Sequence, residues 1–358
     1  MKSKPIREAI TKQVEKTLIQ LPTSVLQKVL DVKPLTMDGR TMDAQLQIVC
    51  EANRQRPEIS EFPVPQAREV YEKIVATLDS PFPKSVLKRD RTIFLDTEKG
   101  GQRLLKLRIY EKAAVSSKPK PVMVFLHGGG WVVGSTNSTD KLCAGFCHEL
   151  DHIVISVDYR LSPEYPFPYP VEDAIDAFGW IQEHAAHFGG DENKVYVAGD
   201  SAGGNMSAVV SQQTVARGLA SPVAQILIYP STDQQRTARS HTSLGDGYLL
   251  TTKMMDWFQL HFLKDKADYV NPLASPLLAD EASFRTLPPT VVATAGFDVL
   301  RDEGKAYAEK ARAAGVTVNY IEFSSLAHGF VTMTGSVSAA RLAIQTITEQ
   351  IRETIASL

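Results

Sequence analysis

A serine in the pentapeptide GDSAG, at residues 199–203, is the group in this chain with the clearest capacity for chemistry. An apolar run at residues 195–198 precedes it, and a segment with helical periodicity follows it. In such a strand-to-helix turn the serine backbone is strained, its hydroxyl projects alone, and the flanking glycines prevent clashes. The pattern predicts Ser201 as a nucleophile, with Ala202 offering an unpaired N–H at the start of the next helix. A glycine-rich turn with a capping serine is the alternative.

A second glycine-rich segment, HGGGW at residues 127–131, follows the strongly apolar residues 121–126. Its glycines leave backbone N–H groups accessible, and donors aimed at a tetrahedral intermediate form an oxyanion hole. A dinucleotide-binding loop is the competing interpretation, because Gly128, Gly130 and Gly134 also follow a predicted strand. The last gap holds three residues where that fingerprint has two, and the residues after it are turn-like. An oxyanion hole is therefore favoured.

A general base for Ser201 must come from the three histidines that follow it, since the expected order along the chain is serine, acid, histidine. His241 lies in a polar stretch, and His261 lies in a predicted amphipathic helix. His328 lies in a loop after the last strand-like run, residues 318–323. Loops at the carboxyl ends of strands commonly carry catalytic groups. We predict that His328 is the base.

The carboxylate that orients this histidine should follow the preceding strand, predicted at residues 290–295. Asp298 is the first carboxylate beyond that strand. It would accept the histidine Nδ1–H, fix the tautomer and stabilise the imidazolium ion. Asp302 and Glu303 are predicted instead to cap the next helix, at residues 305–314, and to complement its dipole.

The chain resembles the hormone-sensitive-lipase family of α/β-hydrolases from about Arg91 to Leu358. The resemblance rests on five segments in the family's order: HGGG at 127–130, DYRLSPE at 158–164, GDSAGG at 199–204, DVLRDEG at 298–304 and HGF at 328–330. It implies an α/β-hydrolase fold and a catalytic triad of Ser201, Asp298 and His328.

The same resemblance implies an oxyanion hole formed by the backbone N–H groups of Gly129, Gly130 and Ala202. His127 would be a structural residue that orients the glycine loop. Trp131 stands where family members commonly have phenylalanine. Because it borders the oxyanion hole, it is expected to influence the size of the substrate pocket.

Eight segments have the apolar character of strands, and helical segments separate them from the third onward. They lie at residues 91–96, 104–110, 122–126, 153–158, 195–198, 224–229, 290–295 and 318–323. This alternation predicts a mainly parallel, doubly wound sheet flanked by helices.

The expected organisation is a hydrolase core at residues 81–230 and 276–358, with a helical cap in two parts. One part is the N-terminal region, residues 1–80, in which an apolar stripe from Ile6 to Leu21 predicts an amphipathic helix packed on its own protein. This region ends in a proline-rich link, which runs from Phe62 to Pro83 into the start of the core. The other part is an insertion at residues 231–275, whose aromatic residues are mostly assigned to core packing, with one or two facing the site.

Composition excludes several classes of partner. A net charge of −2 and a pI near 6.5 give no basic surface for nucleic acid. No stretch approaches about 18 apolar residues, so no membrane span is predicted.

Cys50, Cys143 and Cys147 cannot all pair, which favours a reducing compartment and a cytoplasmic location. His184 and His187 are interpreted as cations at a helix end, since a zinc site needs a fuller ligand set.

These features together predict a serine carboxylesterase that acts on a small-molecule ester through an acyl-enzyme, with no cofactor and no metal. Bulky aromatic residues in the cap, together with Trp131, predict a pocket for short to medium acyl chains, roughly four to eight carbons. Two alternatives stay open: a non-catalytic small-molecule receptor on the same scaffold, and an amide or carbamate hydrolase with the same triad. The resemblance implies at most a homodimer.

Overall fold

The structure is a computed structural model that describes residues 33–96, 102–113 and 118–358. Its centre is an eight-stranded sheet in the order β10-β9-β8-β7-β5-β6-β4-β3. The strands are β3 (Val86–Asp96), β4 (Gln102–Lys112), β5 (Lys120–Leu126), β6 (Ile153–Asp158), β7 (Gly190–Asp200), β8 (Gln225–Ile228), β9 (Thr290–Phe297) and β10 (Val318–Ala327). Strand β4 is antiparallel to both of its neighbours, β3 and β6, and all other pairs are parallel. The predicted mainly parallel sheet is confirmed.

Helices flank this sheet and connect its strands. They are α1 (Ala44–Arg54), α2 (Val64–Leu78), α3 (Asp140–Leu150), α4 (Tyr169–Glu183), α5 (Ala202–Gln213), α6 (Ser240–Ser243), α7 (Thr252–Phe262), α8 (Glu281–Arg285), α9 (Arg301–Ala313) and α10 (Ser338–Ala356). A separate two-stranded hairpin, β1 (Thr36–Met37) and β2 (Arg40–Thr41), precedes α1.

The core lies on both faces of the sheet, which explains the uninterrupted apolar runs in its central strands. In β5, Met123 and Phe125 belong to one hydrophobic cluster, while Val122 and Val124 belong to the other. Alternate side chains of a strand point to opposite faces, so a strand covered on both faces must be apolar at every position. Buried, free Cys50, Cys143 and Cys147 pack in the first of these clusters.

Strand ends extend beyond the predicted limits. Strand β3 begins at Val86 instead of Arg91, and β7 begins at Gly190 instead of Val195. In the β3 extension, the exposed residues Lys88, Arg89 and Asp90 pair with β4 without being buried, so the apolar run marks only the covered part of that strand.

The predicted link at residues 62–83 is wrong, because most of it is helix α2. Pro63 is the residue before the helix and Pro65 lies in its first turn. Proline in the first turn lacks only an N–H that has no helical partner there, so it is compatible with a helix start. The amphipathic helix predicted from Ile6 to Leu21 lies outside the described residues.

The proposed cap insertion, residues 231–275, contains α6, α7 and a 3-10 helix at Lys266–Val270. Helices α1, α2 and α7 all contribute to one cavity at the carboxyl end of the parallel strands. The division of the chain into core and cap stays a proposal, and these helices surround the site described next.

Candidate active site

The turn between β7 and α5 holds Ser201 in an unusual backbone conformation, with φ 55° and ψ −117°. The neighbouring elements approach so closely that side chains are excluded on either side of it. A Cβ atom added to Gly199 would lie 2.4 Å from the Gly203 carbonyl carbon, and one added to Gly203 would lie 1.9 Å from the Leu126 oxygen. The two glycines of the motif are therefore required by backbone packing between β5, β7 and α5.

Ser201, His328 and Asp298 form a hydrogen-bonded series. The Nε2 atom of His328 lies 2.9 Å from Ser201 Oγ, and its Nδ1 atom lies 2.8 Å from Asp298 Oδ2. Asp298 is buried, and its other oxygen accepts the Leu300 N–H at 2.9 Å. The structure thus brings the three predicted residues together, with an imidazole placed to accept the serine proton and a carboxylate placed to orient it.

The other two downstream histidines have different partners. His241 Nε2 lies 2.5 Å from Glu303 Oε2, and both side chains are buried. His261 lies on α7, where its Nδ1 donates to the Trp257 carbonyl at 2.9 Å. Neither is hydrogen-bonded to Ser201, whereas His328 is.

Helix α9 begins at Arg301 and not at residue 305, so Asp302 and Glu303 lie inside its first turn, where acidic residues complement the dipole, and the expected capping role is wrong. The residue before the helix, Leu300, provides no side-chain cap. Glu303 Oε1 instead accepts the Thr232 N–H at 2.6 Å, and Asp302 accepts the Ser240 N–H at 3.0 Å. Burial raises the pKa of Glu303, and the His241 hydrogen bond opposes that rise. These carboxylates attach residues 232–241 to α9, a tertiary role without a signal in the local sequence.

Gly129 and Gly130 form a tight turn beside the serine, with φ of 118° and 57°. The Gly129 carbonyl accepts the N–H groups of both Val132 and Val133, at 3.1 and 2.9 Å. Gly129, Gly130 and Ala202 line the same cavity as Ser201 and His328. The three predicted oxyanion donors therefore belong to residues on the wall that contains the serine.

Buried side chains attach this glycine turn to the sheet. Asp200, immediately before the serine, accepts the Gly128 N–H at 2.8 Å. Burial raises the pKa of Asp200 to about 6. The His127 ring stacks on Tyr159 at 4.2 Å, and the Tyr159 hydroxyl donates to the His127 carbonyl at 2.7 Å. Burial also lowers the pKa of His127. Sequence reasoning assigned no role to Asp200 or Tyr159, although both lie in matched motifs.

Helix α7 packs directly on the glycine turn. The Trp131 indole stacks on Phe262 with 4.0 Å between ring centroids and 2° between planes. The Phe258 ring lies 2.3 Å from the position that a Cβ of Gly130 would occupy. Phe258 lines the cavity, whereas Trp257 and Phe262 pack elsewhere. This agrees with the expectation that only one or two aromatic residues of the insertion face the site.

The cavity above Ser201 has a volume of about 770 Å³, within the range of small-molecule sites. Its wall is predominantly apolar, and much of it comes from helices in the two parts of the chain that the sequence analysis assigns to the cap. Helix α2 contributes Val70, Tyr71 and Ile74, and α7 contributes Met255 and Phe258.

Neither a metal site nor a membrane-spanning helix is found among the described residues. Within residues 33–96, 102–113 and 118–358, no group of three His, Cys, Asp or Glu side chains could hold a metal ion. His184 directly follows helix α4, and its Nδ1 donates to the Trp180 carbonyl at 2.8 Å. In that same part of the chain, no helix is both long and apolar enough to cross a bilayer.

The chain matches a family model described as alpha/beta hydrolase fold over residues 123–332. It is 48% identical over 219 residues to carboxylic ester hydrolase LipN of Mycobacterium tuberculosis, a match that covers 60% of this chain and 58% of that protein. It is 36% identical to ethyl acetate hydrolase of Pseudomonas putida, covering 64% of this chain and 72% of that protein.

A solved structure of a thermostable esterase from Pseudomonas putida ECU1011 has a similar fold, with a TM-score of 0.83 and 31% identity. That similarity covers 89% of this chain and 99% of the other. The names of these relatives agree with the prediction of an ester hydrolase. With its eight-stranded sheet, serine turn and matched motifs, the chain belongs to the α/β-hydrolase family, in the hormone-sensitive-lipase group.

Proposed function

We propose that this protein is a serine carboxylesterase that hydrolyses small-molecule esters of short to medium acyl chains, roughly four to eight carbons. The observation that carries the proposal is the hydrogen-bonded series Ser201, His328 and Asp298, with bonds of 2.9 and 2.8 Å, beside a glycine turn in an apolar cavity. A nucleophile, a base, an orienting acid and backbone donors are the components that acyl transfer requires.

In the proposed mechanism, His328 Nε2 removes the Ser201 proton while the serine oxygen attacks the ester carbonyl carbon. The carbonyl oxygen becomes negatively charged and accepts hydrogen bonds from the N–H groups of Gly129, Gly130 and Ala202. His328 then donates its proton to the departing alcohol, and an acyl-serine forms. Water repeats these steps in the second half and releases the acid. The steps need no cofactor.

The proposed substrate range follows from the site walls. Phe258 lies against Gly130, and Trp131 is held by its stack on Phe262, so the wall beside the glycine turn is bulky. An apolar cavity of about 770 Å³ favours uncharged esters. In this proposal helices α1, α2 and α7 form the cap over the serine. A homodimer is a further expectation from the resemblance.

The decisive test combines turnover and labelling. p-Nitrophenyl esters of two to sixteen acyl carbons are offered to the wild type and to Ser201→Ala, and a fluorophosphonate adduct is located by mass spectrometry. We expect turnover with short to medium esters, an adduct on Ser201, and a loss of at least about 10⁴-fold in the variant. Ser211→Ala is the matched control, because this buried serine lies on α5 and its hydroxyl donates to the Ser207 carbonyl at 3.0 Å.

Three outcomes contradict parts of the proposal. An adduct elsewhere than Ser201 shows that the nucleophile is wrong. Ligand binding without turnover in the wild type supports the receptor alternative. Faster cleavage of the corresponding anilides or carbamates than of the esters supports the amide or carbamate alternative.

A further inference from the structure

One side chain of helix α2 reaches the glycine turn. Arg68 Nε donates to the Val132 carbonyl at 2.8 Å, and its Nη2 donates to the Ser162 carbonyl at 2.9 Å. The same guanidinium forms a two-pronged pair with Glu164, at 2.9 and 2.6 Å. The partners lie 64 and more residues away along the chain, so the contact exists only in the folded protein.

The two carbonyl groups that Arg68 binds belong to segments that also bind each other. Ser162 N–H donates to the Trp131 carbonyl at 2.8 Å, one residue before Val132. The Arg68 guanidinium therefore adds a second connection between residues 131–132 and Ser162, beside the direct hydrogen bond that already joins them. A planar group with several fixed donors suits this place, since it can serve two carbonyls and a carboxylate together, which an ammonium group cannot.

The position of Val132 is coupled to that of Gly129. Val132 and Val133 both donate to the Gly129 carbonyl, at 3.1 and 2.9 Å. A Cβ on Gly129 would lie only 2.1 Å from the Val133 oxygen, so the turn has no free space on that side. A shift of the peptide at Val132 is therefore expected to displace Gly129 and the N–H groups beside the serine.

We infer that Arg68 is a positioning residue for the oxyanion hole, acting through the Val132 carbonyl on Gly129 and Gly130. The inference rests on the proposed function and adds a role for a residue outside the matched motifs. The cavity walls include Val70 and Tyr71 of the same helix, but Arg68 lies outside them. Its removal should therefore affect the transition state far more than substrate binding.

The test uses Arg68→Ala with kcat expressed per active site, titrated to completion with a fluorophosphonate. We expect kcat to fall by roughly 10- to 100-fold, because a displacement of about 1 Å can cost about 100-fold, while KM changes by less than about threefold. The rate of phosphonylation should fall by the same factor, since a tetrahedral phosphorus uses the same N–H donors. The midpoint of the pH profile should not move, because His328 and Asp298 are unaltered.

Three further variants separate positioning from general stabilisation. Arg68→Lys should keep part of the rate, because one ammonium can still bind one carbonyl. Glu164→Gln should stay within about threefold of the wild type, because Arg68 still binds both carbonyls. Arg217→Ala is the matched control, since Arg217 forms a two-pronged pair with Glu172 at 2.6 and 3.0 Å and has a similarly exposed side chain. Its kcat should not change.

The inference is overturned if Arg68→Ala has wild-type kcat per titrated site, if only the titratable fraction or the melting temperature falls, or if only KM changes. Should Arg68→Ala fail to fold, Arg68→Lys decides by the same criteria. A wild type with neither turnover nor a Ser201 adduct overturns the proposed function and this inference with it. An active wild type with unaffected Arg68 variants overturns this inference alone.

Discussion

The two sides of Ser201 are positioned in different ways. On the elbow side, backbone atoms of β5, β7 and α5 touch directly, and Gly203 would clash with the Leu126 oxygen if it carried a Cβ. On the oxyanion side, the glycine turn is attached by side chains from distant segments, among them Asp200, Arg68 and Phe258.

Mutations on the two sides of Ser201 should therefore differ in whether they change mainly the folding free energy or mainly the turnover rate. Backbone contacts in the elbow are part of the sheet core, so disturbing them should cost folding free energy. Side chains around the glycine turn can be changed one at a time, so disturbing them should alter turnover or specificity while the sheet survives. The following predictions, in order of decreasing expected effect, concern the triad acid, the elbow and the side chains around the glycine turn, and show for each whether turnover or stability responds.

Asp298→Asn should lower turnover by about 10⁴-fold while the fold survives, because an amide favours the wrong tautomer of His328. Asp302→Asn should have near-normal turnover and lose about 1 kcal/mol of stability, since Asp302 accepts the Ser240 N–H and contacts Arg301. Measuring kcat and melting temperature for both variants checks the assignment. A collapse of turnover in a well-folded Asp302→Asn would contradict it.

Gly203→Ala should destabilise the protein by at least about 3 kcal/mol, because the new methyl meets the Leu126 backbone oxygen at 1.9 Å. Gly145→Ala in α3 is the matched control. Its Cβ meets nothing within 4 Å, so a gain of about 0.5–1 kcal/mol is expected. Urea unfolding measures both changes, and equal stability of the two variants would show that the elbow is not tightly packed.

Asp200→Asn should stabilise the protein at neutral pH, because it removes a buried carboxylate. The pKa of Asp200 is raised from 3.8 to about 6 in the folded state. The wild type is therefore most stable at low pH, where this carboxyl is protonated, and it loses stability as the pH rises through 6. The free energy of unfolding of the variant should exceed that of the wild type by an amount that grows between about pH 4 and 6. Above that range the difference should stay constant, on the order of 2–3 kcal/mol. Urea unfolding at pH 4.5, 6 and 7.5 measures it, and a constant difference would refute the expectation.

Phe258→Ala should widen the cavity beside Gly130 and move the preferred acyl chain to longer esters. We expect roughly a tenfold gain in the ratio of rates on twelve-carbon over four-carbon esters, about 1.4 kcal/mol in relative transition-state binding. Leu260→Ala on the same helix is the control, because this side chain is 76% exposed. An unchanged profile in Phe258→Ala would show that another wall limits the acyl chain.

Much of the fold could be predicted because its signals are local. Central strands such as β5 contain uninterrupted apolar runs, here residues 121–126, and a strand followed by a glycine-flanked serine and a helix is a short, contiguous pattern. The position of His328 after β10 and of Asp298 after β9 follows from chain order, and the structure places both beside Ser201. Their catalytic roles stay proposals that turnover must test.

Helix α2 shows where local signals failed. Its prolines predict a link, although a proline at a helix start and one within a link are alike in the sequence. Similarly, Glu303 has the spacing of a first-turn acid, and only the folded chain brings its carboxylate to the Thr232 N–H and His241.

The sequence by itself determined the eight-stranded α/β sheet, the elbow around Ser201 and the order of the residues that could act with it. These depend on periodicity, glycine placement and chain order, which a linear chain contains. Only the tertiary structure decided what surrounds the serine: the walls supplied by α2 and α7, and the hydrogen bonds from Arg68 to the glycine turn. Those contacts join residues far apart in the chain, and their distances depend on how helices pack on the sheet, which no local pattern encodes.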